Sequence, residues 1–417
     1  MAAARAPSLR RLALLLGGLA MSGPFSIDTI FPAFPQIGAQ MGVDKLAMQQ
    51  TISVYLLAYA AMSLVHGPLS DALGRRGVIL AGLAVFALAS AGCALSTGFE
   101  MLLAFRALQG LSAGVGIIVG RAVIRDLLHG DDAQRLMSQV SMIFGIAPAV
   151  APMIGGWVLG WSRWPMIFWF LTAFSLALLL ATWLGLPETH PPAARRPPSP
   201  RLLLRDFLVI LANPRFQRLA AAGTFNFGAL FLYIASAPAF VLGLLGLDER
   251  GFGWFFVPMI GGMTLGAFVS GRIAGRVGGL VQTRIGFACC TVAALCNVAY
   301  NLAVPEPSVP LAVLPTMLNA FGIALVFPIL TLAILDMYPR QRGSASSLQA
   351  FTGLLANAVI AGVLSPLISH DGLHLSLGAA VFTLLGWAAW RLEIRAGTRM
   401  PPGDPEYAVA LEPTERM

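Results

Sequence analysis

Long apolar runs alternate with short polar breaks along this chain, and the runs share a common length. They cover residues 12–34, 47–69, 78–96, 101–124, 136–160 and 165–186, then 217–243, 252–274, 281–303, 309–333, 344–368 and 373–392. Each is long enough to cross roughly 30 Å of hydrocarbon as a helix rising about 1.5 Å per residue. Lipid tolerates only helices and closed barrels, because both satisfy every backbone polar group internally. The Leu-, Ala- and Gly-rich runs lack the two-residue alternation of barrel strands. The pattern therefore predicts an all-α polytopic membrane protein with twelve transmembrane helices in two bundles of six. One further run, "RLLLRDFLVILANPRFQR" from Arg201 to Arg218, has an apolar stretch too short to span and flanked by arginines. It predicts an amphipathic helix lying on the membrane surface.

Composition agrees: 57% of the 417 residues are hydrophobic and only 11% are charged. Soluble domains carry about 25% charge, so a soluble multidomain protein is excluded. Polar breaks on one side hold Arg5, Arg10, Arg11, Arg75, Arg76, Arg125, Arg135, the arginines from Arg195 to Arg218, Arg272, Arg276, Arg340, Arg342 and those from Arg391 to Arg399. The other side holds little beyond Lys45, Arg163 and Arg250. The positive-inside rule puts both termini in the cytoplasm. This bias explains the net charge of +8, which leaves no claim for a nucleic-acid partner. The basic N-terminus ahead of "LALLLGGLAMSG" imitates a signal peptide but runs on to Phe34 without a clear cleavage site, so it reads as an uncleaved first helix. Cys93, Cys289, Cys290 and Cys296 all fall inside spans, which gives neither a disulfide framework nor metal-ligand spacing.

The stretch "PETHPPAARRPPSPR", Pro187 to Arg201, reads as a cytoplasmic linker between halves. The expected division is an N-terminal bundle over 1–186, a linker with the interfacial helix over 187–214, a C-terminal bundle over 215–395 and a tail over 396–417. "GPLSDALGRRG", Gly67 to Gly77, fills the break between spans two and three, and "GRIAGRVGG", Gly271 to Gly279, fills the matching break in the second half. Such paired repeats are an architecture of secondary transporters.

Asp28 carries the strongest chemical signal. It lies about 16 residues into a helix that starts inside, hence ~24 Å up, in the outer half of the core. A carboxylate there costs roughly 2.5–3.5 kcal/mol to insert, so it is presumed functional unless paired off. Phe25 and Phe31, three residues to either side, would share its face and wall it with aromatic surface suited to lipophilic or cationic compounds. Arg106 enters from the outer side to a depth of about 8 Å, close to that of Asp28. Coupling between the two would let protonation of Asp28 compete with substrate; a permanent structural ion pair is the alternative. Tyr55, Tyr59, Met142, Phe227 and Phe231 are candidates for a substrate cavity, although membrane aromatics also face lipid. Arg121 and Arg125 sit at the inner mouth or snorkel to headgroups. Asn226, Asn297, Asn301, Asn319 and Asn357 read as interhelical hydrogen-bond partners, and His66 as a helix-end residue. With Lys45 as the only lysine there is no phosphate-cradling loop, and no catalytic or metal motif appears, so neither an ATPase, another enzyme nor a cofactor is expected.

The spacing G-x-L-S-D-x-x-G-R-R in the Gly67–Gly77 loop resembles the signature of the major facilitator superfamily. "RALQGLSAG" (Arg106 to Gly114) resembles its fourth-helix motif. "APAVAPMIGG" (Ala147 to Gly156) resembles the fifth-helix motif of drug antiporters, with Pro148, Pro152, Gly155 and Gly156 in place and alanine at both leading glycine positions. "SIDTIFPAFP", "VIRDLL" and "GSASSL" narrow the resemblance to the Bcr/CflA group of bacterial drug:proton antiporters. The resemblance implies a proton-coupled exporter of small hydrophobic or amphipathic compounds, working as a monomer by alternating access in the bacterial inner membrane. It also implies a cytoplasmic latch built from Gly67, Asp71, Gly74, Arg75, Arg76 and Asp126. In that latch Asp71 would face the start of the eleventh helix near Gly343, and Arg75 would pair with Asp126. Simple topology-setting arginines are the alternative. Gly275 stands where an acid would be expected in the second loop, so an equivalent latch there is not expected. The competing functions are a proton-coupled exporter of a metabolite or amino acid and a transporter-like sensor or structural membrane protein.

Overall fold

A computed structural model of the chain describes residues 9–128, 130–195, 199–274, 276–304, 306–338 and 341–397; the side chains of 130–135, 138, 141, 142, 194 and 397 are outside the description. The helices are α1 (Leu9–Asp28), α2 (Phe34–Met41), α3 (Lys45–Leu73), α4 (Arg75–Ala94), α5 (Phe99–Ala113), α6 (Val115–Leu127), α7 (Gly130–Trp161) and α8 (Pro165–Gly185) in the first half. The second half has α9 (Pro200–Ala212), α10 (Pro214–Ala235), α11 (Phe252–Ile273), α12 (Gly279–Ala303), α13 (Leu314–Met337), α14 (Arg342–Val359), α15 (Ser365–Ile368) and α16 (Gly372–Gly397). Among the described residues, 12 helical stretches are long and apolar enough to cross a membrane, and each contains the middle of one run read from the sequence.

The chain divides into two compact units, Met1–Ser199 and Pro200–Met417. In the first, α1 packs on α7, α3 on α5, and α4 on α8. Leu12, Leu16, Leu19, Ile79, Leu83, Val119, Val123 and Leu178 form one continuous buried cluster. In the second, α10 packs on α16, and α13 lies between α11 and α12.

Three local readings change. The first span is not one α-helix: α1 stops at Asp28, a short 3₁₀ turn covers Phe31–Ala33, and α2 follows. Pro32 and Pro35 supply the cause, since neither has the N–H that would bond the carbonyl four residues earlier. Helix α3, in contrast, runs through Pro68 to Leu73, so Gly67 lies within a helix and makes no turn, and among the described residues nothing lies within 4 Å of where its Cβ would be. Finally, the amphipathic helix ends at Ala212 rather than Arg218. Asn213 caps a new helix by accepting from the Arg215 N–H at 2.9 Å, with Pro214 at its first position. Arg215 and Arg218 thus belong to the seventh span, where they meet the two oxygens of Glu393 at 2.8 Å each. The remaining helix, α9, keeps Leu202, Leu204, Leu208 and Val209 exposed.

Candidate functional site

Asp28 occupies the last residue of α1 and is 4% exposed. The next residue folds back on the helix, with the Thr29 hydroxyl donating to the Phe25 carbonyl at 2.6 Å. Behind this turn runs α7. Gly155 of the "APMIGG" stretch meets the Thr29 carbonyl directly; a Cβ there would overlap that oxygen and lie 3.4 Å from the Pro32 ring. Gly155 therefore has a packing reason to be glycine, and it sits against the turn that presents Asp28. Gly156 and Pro152 are buried in the same helix, and Pro148 is half-buried.

Arg106 is fully buried in α5 and spends its hydrogen bonds on neighbours other than Asp28. Its Nη1 donates to the Ser26 carbonyl (3.0 Å), the Ser26 hydroxyl (2.8 Å) and the Gln109 amide oxygen (2.8 Å). Nε donates to the Thr51 carbonyl at 3.1 Å. The guanidinium lies 4.5 Å above the Tyr55 ring, whose hydroxyl donates to the Gly23 carbonyl at 3.2 Å. Gln109 extends the network by donating to the Ser90 hydroxyl at 2.8 Å. Helix geometry explains why the carboxylate is missed: Ser26 and Asp28 are two residues apart, about 200° around the axis, so a group that takes Ser26 faces away from Asp28. Depth was matched but the face was not. Asp28 lies within electrostatic reach of the Tyr55 hydroxyl, and among the described residues its carboxylate makes no hydrogen bond or ion pair.

At the other end of the unit the loop residues form a second cluster. Arg75 contacts Asp71 within its own segment, bonds Asp126 through Nε at 3.1 Å and donates to the Ser70 hydroxyl at 2.6 Å. Gly74 adopts φ +99°, a left-handed value that favours glycine, and a Cβ there would strike the Glu188 carboxylate and the Arg195 guanidinium. Glu188 accepts the Arg75 backbone N–H at 2.9 Å, placing a negative charge at the start of α4 where free amides favour one. Thr189 donates to Asp126 at 3.0 Å. Arg76 donates to the Trp183 carbonyl at 2.7 Å, capping the end of α8.

The aromatic candidates are dispersed. Phe25 stacks on Phe174 and Phe170 of α8 at 5.3 and 6.3 Å, while Phe31 sits in the 3₁₀ turn edge-on to Phe34 at 5.8 Å. The broken helix removes the shared face that would have put both beside Asp28. Tyr55 and Tyr59 meet edge to face at 6.4 Å. Phe227 contacts Phe231 and Phe327 in the second unit at 6.2 and 6.5 Å. The Met142 side chain lies outside the described residues. Asn297 donates to the Tyr233 hydroxyl at 2.8 Å and receives Asn301 at 3.1 Å. Neither amide atom of Asn226 has a partner among the described residues, so the expected interhelical bond is not formed there.

Ser26, Thr51, Ser90, Gln109, Glu188 and Glu393 were not anticipated as a set. Gln109 and Ser26 stand inside motifs quoted above, and Glu393 is a lone acid at the end of an apolar run.

Residues 14–361 match the family model described as Major Facilitator Superfamily. The bicyclomycin resistance protein homolog of Haemophilus influenzae is 30% identical over 275 residues, covering 66% of this chain and 69% of its own. Multidrug resistance protein D of Escherichia coli is 27% identical over 393 residues, covering 93% and 96%. Among solved structures, the human organic anion transporter MFSD10 superposes with a TM-score of 0.68 at 20% identity, over 93% of this chain and 99% of that one.

Proposed function

We propose, from the premise that this chain belongs to the Major Facilitator Superfamily and is a multi-pass bacterial membrane transporter, that it exports small hydrophobic or amphipathic compounds in exchange for protons. The similar proteins named for bicyclomycin and multidrug resistance support efflux of such compounds. The observation that carries proton coupling is Asp28: a buried carboxylate with no partner among the described residues, at the broken end of the first span. An intramembrane carboxylate in that position is expensive when ionised, and protonation removes the expense. Protons taken from the outside and released inside would supply the driving force. Gly155 supports the same reading by seating α7 against the turn that presents the acid.

Arg106 in this reading braces the end of α1 that presents Asp28, through its bonds to Ser26, Thr51 and Gln109. The Asp71–Arg75–Asp126 cluster serves as the inner latch, and a partly exposed ion pair of this kind is worth roughly 1 kcal/mol or less. That weakness suits a contact that must break every cycle. The distribution of arginines supports both termini in the cytoplasm, and a single chain is the working unit.

Asp28→Asn tests the proposal. In proteoliposomes with an imposed proton gradient, the variant should bind a lipophilic compound but lose gradient-driven export. Export at the wild-type rate would end the assignment.

A further inference from the structure

A helix that floats on a membrane surface turns its polar face to water. Helix α9 (Pro200–Ala212) does not, because one side of it is already taken by its neighbours. Ile210 is fully buried, Leu203 and Phe207 are half-buried on the same face, and Asp206 accepts from the Gln341 amide at 2.9 Å. Gln341 stands at the start of α14, the eleventh span. Gln217, in the first turn of α10, donates to the Leu211 carbonyl at 2.8 Å. Helix α9 is thus pinned at the level where the seventh and eleventh spans begin, with its one acid spent on α14.

The outward side mixes charge with apolar surface. At about 100° per residue, Arg201, Arg205, Leu208 and Ala212 fall within about 60° of one another, with Leu204 and Val209 at the edges. These six line a shallow groove of about 440 Å³, and Leu204, Leu208 and Val209 are each more than half exposed. The two kinds of surface are segregated along the axis. Both arginines lie in the first half of the helix, and the stretch from Phe207 to Ala212, which leads into α10, is apolar throughout. Neither guanidinium has a hydrogen-bond or ion-pair partner among the described residues.

Water would leave the apolar stretch uncovered, and bare hydrocarbon would leave two guanidiniums uncompensated. A molecule with an anionic head and apolar chains satisfies both at once. Phosphate oxygens accept from the planar donor fork of arginine, and acyl chains cover Leu204, Leu208 and Val209. A zwitterionic lipid offers the same phosphate but brings its own cation, which the arginines repel. We propose that the outer face of α9 is a binding site for an anionic phospholipid, with the phosphate at Arg201 and Arg205 and the chains running toward α10. This site rests on the chain's place in a membrane and is independent of the direction and energy source of transport.

The test uses the full-length protein in lipid nanodiscs, its four cysteines replaced and a fluorophore attached at Leu211→Cys, beside the groove. Phosphatidylglycerol or phosphatidylcholine with brominated chains, which quench on contact, is added at increasing mole fraction. Phosphatidylglycerol should reach half-quenching at a mole fraction about tenfold lower, the preference expected of two basic groups at an anionic lipid. Arg201→Gln with Arg205→Gln should bring the two lipids level. Arg272→Gln with Arg391→Gln removes the same charge from two exposed positions elsewhere in the second unit and should keep the preference within about twofold. Inorganic phosphate should not reverse the quenching. Equal quenching by both lipids in the parent protein overturns the proposal, as does an equal loss in the charge-matched control. Reversal by inorganic phosphate would replace the lipid with a free-anion site, and no quenching by either lipid, as a second copy covering the face would give, also overturns it.

Discussion

In the first unit the buried polar groups gather around a guanidinium; in the second they gather around amides and hydroxyls. Arg106 binds two carbonyls, a hydroxyl and an amide across α1, α3 and α5. The second unit uses neutral pairs in comparable places: Asn297 with Tyr233, Ser236 with Ser365 at 2.8 Å, and Gln282 with Ser270 at 2.7 Å. A small cavity bordered by Tyr233, Asn297, Thr316 and Asn319 adjoins the first of these. The second unit's buried ionic cluster, Glu393 with Arg215 and Arg218, ties the start of α10 to the last turns of α16. Neutral hydrogen bonds between spans are worth well under 2 kcal/mol each, and they suffice to align helices. A buried charge does that job at far greater cost. Both units bury an arginine, but among the described residues Arg106 has no carboxylate partner whereas Arg215 has Glu393, which argues that the first unit carries chemistry the second does not.

Substituting the centre of each network puts that contrast at risk. Arg106→Ala strands several buried acceptors and should abolish export, with a loss of roughly 3–5 kcal/mol in stability; Asn297→Leu should lose only about 1 kcal/mol and keep export. Thermal unfolding in detergent and proteoliposome flux measure both. Equal damage from the two would erase the distinction. Glu393→Gln leaves two arginines facing a neutral amide and should cost ~1–3 kcal/mol, the lower end because Arg218 is partly exposed. Its flux per folded molecule should stay near wild type; an altered proton dependence would make the cluster part of the pump.

The smallest effect lies outside the spans. Asp371 accepts the Leu373 N–H at 3.1 Å and touches His374, and these bonds hold its carboxyl below the usual range. Its contribution is present above the unfolded value and fades as pH falls through the lowered folded one. Asp371→Ala should thus lower the unfolding temperature slightly at neutral pH, by the equivalent of about 0.5 kcal/mol for an exposed cap. Once the pH lies below the lowered folded value the difference should vanish.

The spans were legible because lipid imposes one length on every crossing helix, whatever its neighbours. Position within a span was less so. Counting residues put Arg106 and Asp28 at one depth, but only the fold shows that Arg106 takes the face of Ser26, 80 residues away in sequence. Phe31 was placed beside Asp28 by extending a helix that Pro32 ends. Arg215 and Arg218 looked like flanks of a surface helix because their partner, Glu393, lies 178 and 175 residues on. Glu188 reads as part of a solvated linker until the left-handed turn at Gly74 brings the start of α4 against it. Arg76, in the same quoted loop as Arg75, proved to be a helix cap.

That Arg106 has no acid partner among the described residues has an arithmetic consequence. With Asp28 ionised, the two side chains sum to zero; once it is protonated, Arg106 leaves the pair with a net positive charge. A cationic cargo would then be repelled by the very event that admits the proton, whereas a neutral one would feel mainly a change in polarity. Cargo charge, more than cargo shape, should set how tightly uptake of one is tied to release of the other.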